Sequence, residues 1–222
     1  MVRFLPNALT CARLVAAPCL ALAFVVFVRP LADWIALGLF VTAAATDWVD
    51  GAVARRWQAT SRLGAMLDPI ADKAMILIAL TVVLALSGYE PWLVVPATII
   101  IFREVFISGV REYLGAEAGR LAVTRIAKWK TTVQMIAIAL LMLGLGLQEV
   151  NFWLYRSMDE AAYRAELASG LSDFNLTWRV VTAGWLSGLG GIILLWVAAL
   201  LTAISGLDYF RKARPYLSED QG

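Results

Sequence analysis

Six apolar stretches punctuate the chain, at about residues 8–28, 32–53, 66–87, 92–113, 124–147 and 180–208. Each is close to the roughly 20 residues a helix needs to cross a hydrocarbon core about 30 Å thick. The connections between them are short and polar, with one exception. Residues 148–179 carry Glu149, Arg156, Asp159, Glu160, Arg164, Glu166, Asp173 and Arg179, and within them 159–168 reads as a short surface helix. The pattern predicts an all-α integral membrane protein with six transmembrane helices. It forms a single domain over 1–222, with an insertion at about 148–179. No internal repeat or low-complexity segment appears. Gly184 and Gly188 form a GxxxG in the last stretch. That spacing permits close helix contact, either with another chain or at a tight crossing within this one.

Composition agrees with lipid as the solvent. Hydrophobic residues make up 61% of the chain and the mean hydropathy is +0.74, whereas soluble domains sit near half apolar. The net charge of +2 is uninformative, but the placement of the cations is not. With the N-terminus in the cytoplasm, Arg3, Arg55, Arg56, Arg62, Arg111, Arg120, Arg125, Arg211, Lys212 and Arg214 fall on that side. The opposite side receives Arg29, Arg156, Arg164 and Arg179. Cytoplasmic loops carry an excess of Lys and Arg. Both termini are therefore expected inside, in a bacterial-type inner membrane, with the 148–179 insertion outside. The first stretch shows no small-residue cleavage site of a signal peptide. Cys11 and Cys19 are eight residues apart on one predicted helix, about 12 Å along its axis and too far for a disulfide. The chain has no histidine, so a general base must be a carboxylate, Lys, Tyr or Cys.

Acidic residues at the facing ends of the second and third stretches carry the strongest chemical signal. Asp47 and Asp50 are spaced i,i+3, and Asp68 and Asp72 i,i+4, so each pair projects from one helical face. A short loop joins the two helices. Antiparallel packing then brings all four carboxylates to one cavity, expected at the cytoplasmic side. Four converging charges repel one another and are costly at membrane depth. Protons or divalent cations would remove that cost, and hard oxygen ligands suit Mg²⁺, Mn²⁺ or Ca²⁺. Two divalent ions balance four aspartates, and two-metal sites clamp attacking and leaving oxygens in phosphoryl chemistry. Gly51 leaves room for a ligand to approach the backbone. The plain alternative is that the charges merely solvate helix ends.

The full pattern reads Asp47-x2-Asp50-Gly51-x2-Ala54-Arg55-x8-Gly64-x3-Asp68-x3-Asp72. It resembles, without departure, the signature of the CDP-alcohol phosphotransferase family. The resemblance implies six membrane helices, a homodimer and two divalent cations, Mg²⁺ or Mn²⁺. It implies that Asp47, Asp50 and Asp68 bind metal, and that Asp72 completes the site and acts as general base. Gly51, Arg55 and Gly64 would contact the CDP-lipid.

Two further stretches bear on the acceptor. Asn7, Thr10 and Arg13 follow i,i+3,i+6 spacing at the start of the first stretch. Taken singly they read as a helix cap and a snorkelling arginine. Together they resemble family members in which this region lies beside the nucleotide, which adds them to the CDP-lipid set. The second stretch contains Arg103-Glu104, Ser108, Arg111, and then Arg125, Lys128, Lys130, Thr131 and Gln134. Arg103 lies inside an apolar stretch, where an isolated cation is expensive; its expected partner is Glu104 or a motif aspartate. Arg103, Arg111, Lys128 and Lys130 suit a phosphate-bearing acceptor, although Lys128 and Lys130 stand 200° apart on a regular helix. Headgroup anchoring is the alternative for Arg120 and Arg125.

These stretches resemble the branch of the family whose acceptor is glycerol 3-phosphate. The implied reaction transfers a phosphatidyl group from CDP-diacylglycerol to glycerol 3-phosphate and releases CMP. The implied partners are those substrates and membrane lipids, with no nucleic acid. Inositol phosphate and serine remain alternative acceptors. An ion or proton transporter is the reading from another class. Transporters place such charges near the midplane, often on inverted repeats, and neither feature is visible here.

Overall fold

The structure, a computed structural model, describes residues 5–57, 62–120 and 125–217. Among them every regular element is helical: α1 (Leu5–Val26), α2 (Leu31–Trp57), α3 (Arg62–Ser87), α4 (Pro91–Leu114), a 3₁₀ turn (Gly115–Arg120), α5 (Arg125–Ser157), α6 (Glu160–Asp173) and α7 (Leu176–Leu217). Five helical segments are long and apolar enough to cross a membrane: Ala8–Val26, Met66–Ser87, Pro91–Leu114, Trp129–Ser157 and Leu176–Leu217. In α2 the described apolar run, Leu31–Thr46, is shorter. Large apolar side chains lie exposed on the outer faces, among them Val25, Trp92, Phe102, Leu186 and Leu200. Such a surface suits lipid, in which only backbone-satisfied elements such as helices are stable.

The chain divides into two compact units. The first comprises Met1–Gly88 with Ile138–Gly191. Within it α1 packs on both α2 and α3, through faces whose buried residues recur at helical spacing. On α1 the buried seam is Thr10, Arg13, Ala17, Leu20 and Ala23; on α2 it is Ala32, Ala36, Phe40 and Ala43; on α3 it is Ala71, Met75, Ala79 and Val83. Residues three or four apart share a helix face, and the frequent alanines let the helix axes approach closely. The GxxxG lies at a crossing within the chain. A Cβ added to Gly144 of α5 would stand 3.0 Å from the Gly188 backbone nitrogen and 3.4 Å from the Gly184 carbonyl oxygen.

The 148–179 region is more helical than its polarity suggests. α5 continues to Ser157, α6 spans Glu160–Asp173 where 159–168 was expected, and α7 begins at Leu176. Polar residues of this region find partners within these helices and, for Glu149, in the segment joining α1 and α2. Arg29 forms a bidentate pair with Asp33 (both contacts 2.8 Å) and reaches Glu149 of α5 at 3.0 Å. The hydrogen bond to Asp33 raises the Arg29 pKa above its ordinary value. Tyr163 donates to the Asn151 side chain at 2.8 Å. The Asn175 side chain accepts from the Trp178 backbone N–H at 2.9 Å, capping the start of α7. Trp178 lies so close to Gly170 that an added Cβ would stand 2.1 Å from the ring.

The second unit comprises Tyr89–Ala137 with Ile192–Gly222. Ile107 and Leu114 of α4 cluster with Tyr209 and Ala213 of α7. At another point of the same helix pair, the Trp196 indole N–H donates to the Trp92 carbonyl at 3.0 Å. α7 runs on to Leu217, so Arg211, Lys212 and Arg214 lie in a helix, with Lys212 paired to Asp208 one turn earlier at 2.7 Å.

Candidate active site

In the first unit the buried seam of α1 ends in polar residues set against the acid pair of α3. Thr10 Oγ1 donates to Asp68 Oδ1 at 2.6 Å. Arg13 Nη1 donates to Asp72 Oδ1 at 2.7 Å, and its Nη2 to Asp68 Oδ1 at 3.2 Å. One guanidinium thus bridges two carboxylates a helical turn apart, which its planar fork suits better than an ammonium would. The Arg13 side chain is 5% exposed, but those of Asp68 and Asp72 are 50% and 35% exposed. A buried cation holds the acids from one side while they remain accessible to a ligand. Gly64, one turn before Asp68, is buried.

Asp47, Asp50, Gly51 and Arg55 all fall within α2. Their side chains, with those of Asn7 and Lys128, lie outside the described residues. Among the described residues no three His, Cys, Asp or Glu gather into a metal-binding group. The pair that is described has suitable donor chemistry. Two accessible carboxylates one turn apart offer only hard oxygen, which suits Mg²⁺ or Mn²⁺. Asp47 and Asp50 carry the same donor type three residues apart in the sequence.

The second unit carries a cluster of the opposite balance. Glu104 of α4 is 8% exposed and Lys130 of α5 is 5% exposed. Lys130 Nζ donates to Glu104 Oε1, and Arg103 Nη1 donates to the same oxygen at 3.3 Å. Arg103 Nη2 reaches Ser205 of α7 at 3.3 Å. The stem of Arg103 crosses α7 at Gly206, where an added Cβ would stand 2.9 Å from its Cγ. Among the described residues two cations therefore share one carboxylate in a largely buried setting, leaving one positive charge in excess. Arg103 finds its expected partner in Glu104. Arg111 is close enough for its charge to act on both Arg103 and Lys130; it is exposed, with its guanidinium 5.1 Å above the Tyr209 ring, a cation–π distance.

Of the sequence-predicted residues, Thr10, Arg13, Asp68 and Asp72 are brought together, as are Arg103 and Lys130. Glu104 as the partner of Lys130 was missed. Gln134, named in that stretch without a role, is fully buried on α5. A carboxylate inside an apolar stretch and a glutamine four residues after a lysine were the signals available.

Helices long and apolar enough to cross a membrane, with accessible acids on α3 and largely buried cations in the second unit, describe a multi-pass membrane protein with charged sites among its helices. Residues 3–163 match the CDP-alcohol phosphatidyltransferase family, and the chain belongs to that family. It is 50% identical to a CDP-diacylglycerol–glycerol-3-phosphate 3-phosphatidyltransferase of Cereibacter sphaeroides, over 98% of each chain. Proteins of the same name from Escherichia coli and Haemophilus influenzae are 37% and 32% identical, over 95% and 97% of this chain and 94% and 96% of theirs.

Proposed function

We propose that the protein transfers the phosphatidyl group of CDP-diacylglycerol to glycerol 3-phosphate, giving phosphatidylglycerophosphate and CMP. The reading is carried by 50% identity across nearly the whole chain to an enzyme named for that reaction. The acid pair on α3 supplies a chemical centre for it.

Asp47, Asp50, Asp68 and Asp72 hold two divalent cations, Mg²⁺ or Mn²⁺. When bound, these neutralise the pyrophosphate and the departing charge. Asn7, Thr10, Arg13, Gly51, Arg55 and Gly64 bind the CDP-lipid. For Thr10 and Arg13 the support is their grip on Asp68 and Asp72, which fixes the carboxylates that face the pyrophosphate. Arg103, Arg111, Lys128 and Lys130 bind the acceptor phosphate, and the excess positive charge around Glu104 favours an anion there. Asp72 takes the proton from the primary hydroxyl of the acceptor. That oxygen bonds to the phosphatidyl phosphorus as the bond to the CMP oxygen breaks. Positioning and fixed charge supply the rate.

The distribution of Lys and Arg supports six crossings, both termini in the cytoplasm, the acid site on that face and the 148–179 segment outside. In this reading the chain is one membrane domain working as a homodimer in a bacterial-type inner membrane. A panel of radiolabelled acceptors tests the assignment. With CDP-diacylglycerol, label from glycerol 3-phosphate enters lipid and CMP is released. Label entering from serine or inositol phosphate, with none from glycerol 3-phosphate, contradicts it.

A further inference from the structure

Gln134 is fully buried, and neither its amide oxygen nor its amide nitrogen has a hydrogen-bond partner among the described residues. Leaving one buried polar group unpaired costs roughly 1–3 kcal/mol, and such groups are few in native structures. An amide with both a donor and an acceptor unpaired calls for a partner that can accept and donate at once. A hydroxyl group is such a partner. Lys130, four residues earlier, is also buried. Residues four apart share a helix face and stand about 6 Å apart along the axis. At that spacing a flexible lysine side chain and an amide can meet the phosphate and a hydroxyl of one short hydroxyalkyl phosphate. Lys130 and Arg103 share Glu104 and leave a positive charge in excess, so the same face of α5 offers a cation for a phosphate and an amide for a hydroxyl.

We propose that Gln134 is a specificity-determining residue for the acceptor: it hydrogen-bonds the secondary hydroxyl of glycerol 3-phosphate while Lys130 holds the phosphate. Glu104 acts as a positioning residue that holds Lys130 and Arg103 in place. The inference rests on the glycerol 3-phosphate reading and deepens it. It predicts that the enzyme distinguishes glycerol 3-phosphate from 3-hydroxypropyl phosphate, which keeps the phosphate and the reacting primary hydroxyl but lacks the secondary one. Losing one hydrogen bond to a site built for it should cost about tenfold or more in kcat/KM.

The test measures CMP release with both acceptors in the wild type and in Gln134→Met, which keeps the length of the side chain and removes its hydrogen bonds. A ratio of two kcat/KM values from one preparation is independent of the active fraction. The ratio, about tenfold or more in the wild type, should fall to near one in the variant. An unchanged ratio overturns the proposal and leaves Gln134 a packing residue. Should Gln134→Met fail to fold, Gln134→Asn, whose amide is withdrawn by one methylene, carries the same comparison with the same two outcomes. Absence of turnover with glycerol 3-phosphate in the wild type is a separate result: it sinks the acceptor assignment and this inference with it.

Discussion

The two charged regions differ in which charges they bury. In the N-terminal half of α3, two partly exposed carboxylates pair with one buried guanidinium, Arg13. Around Glu104, two largely buried cations, Arg103 and Lys130, share one carboxylate. In the first the acids are accessible; in the second, among the described residues, two cations meet one carboxylate and are enclosed. Accessible carboxylates suit cations, and an excess of positive charge suits an anion. The burial difference predicts a division of labour. Changes in the acid region should strike chemistry first. Changes in the basic region should strike the fold first, because an uncompensated buried charge is expensive.

The largest effect belongs to Asp72→Asn. Removing the base should lower CMP release about a thousandfold, with a far smaller change in detergent unfolding and CDP-lipid binding retained. Full activity in this variant refutes the role given to Asp72. Glu104→Gln should reverse the order of effects. It leaves two buried cations without a counter-charge and should cost about 3–5 kcal/mol of stability, read from thermal or denaturant unfolding in detergent. An unfolding curve matching the wild type would show that the cluster is not enclosed as described. Arg13→Lys keeps the charge but replaces a fork with a single point that cannot bridge both acids in the same way. A shift in carboxylate position on that scale should lower turnover by about tenfold to a hundredfold, while Lys at this position keeps most of the stability. Last, Arg164→Ala removes an exposed pair with Glu160 on α6. Surface pairs of this kind are worth about 0–1 kcal/mol, so both unfolding and activity should stay within error of the wild type.

Much of this contrast was legible in the sequence, because charge inside an apolar stretch has few explanations. The regular acid spacing and the polar stripe of Thr10 and Arg13 follow from helical periodicity, and the Arg103–Glu104 pairing from the cost of an isolated cation inside an apolar stretch. What periodicity lacks is the partner across helices. The α1 stripe gave no sign that Arg13 meets Asp68 and Asp72, since that contact depends on how α1 lies against α3. Lys130 meeting Glu104 is hidden for the same reason. The 148–179 region reads as a polar insertion because Glu149, Asn151, Arg156 and Asn175 lower its hydropathy. The helices persist there because Arg29, Tyr163 and the N–H of Trp178 satisfy three of those side chains. The glycine pair at 184 and 188 fitted either an intermolecular or an internal contact. Gly144 lying against both shows an internal one.

The central claim is that the accessible acids gather divalent cations for the transfer reaction. Titration of Mn²⁺ into purified wild-type protein and Asp68→Asn, followed by electron paramagnetic resonance of the free ion, tests it directly. The account predicts about two bound ions per wild-type chain, weakened or lost in the variant. Equal binding in both proteins, or none in the wild type, would contradict it.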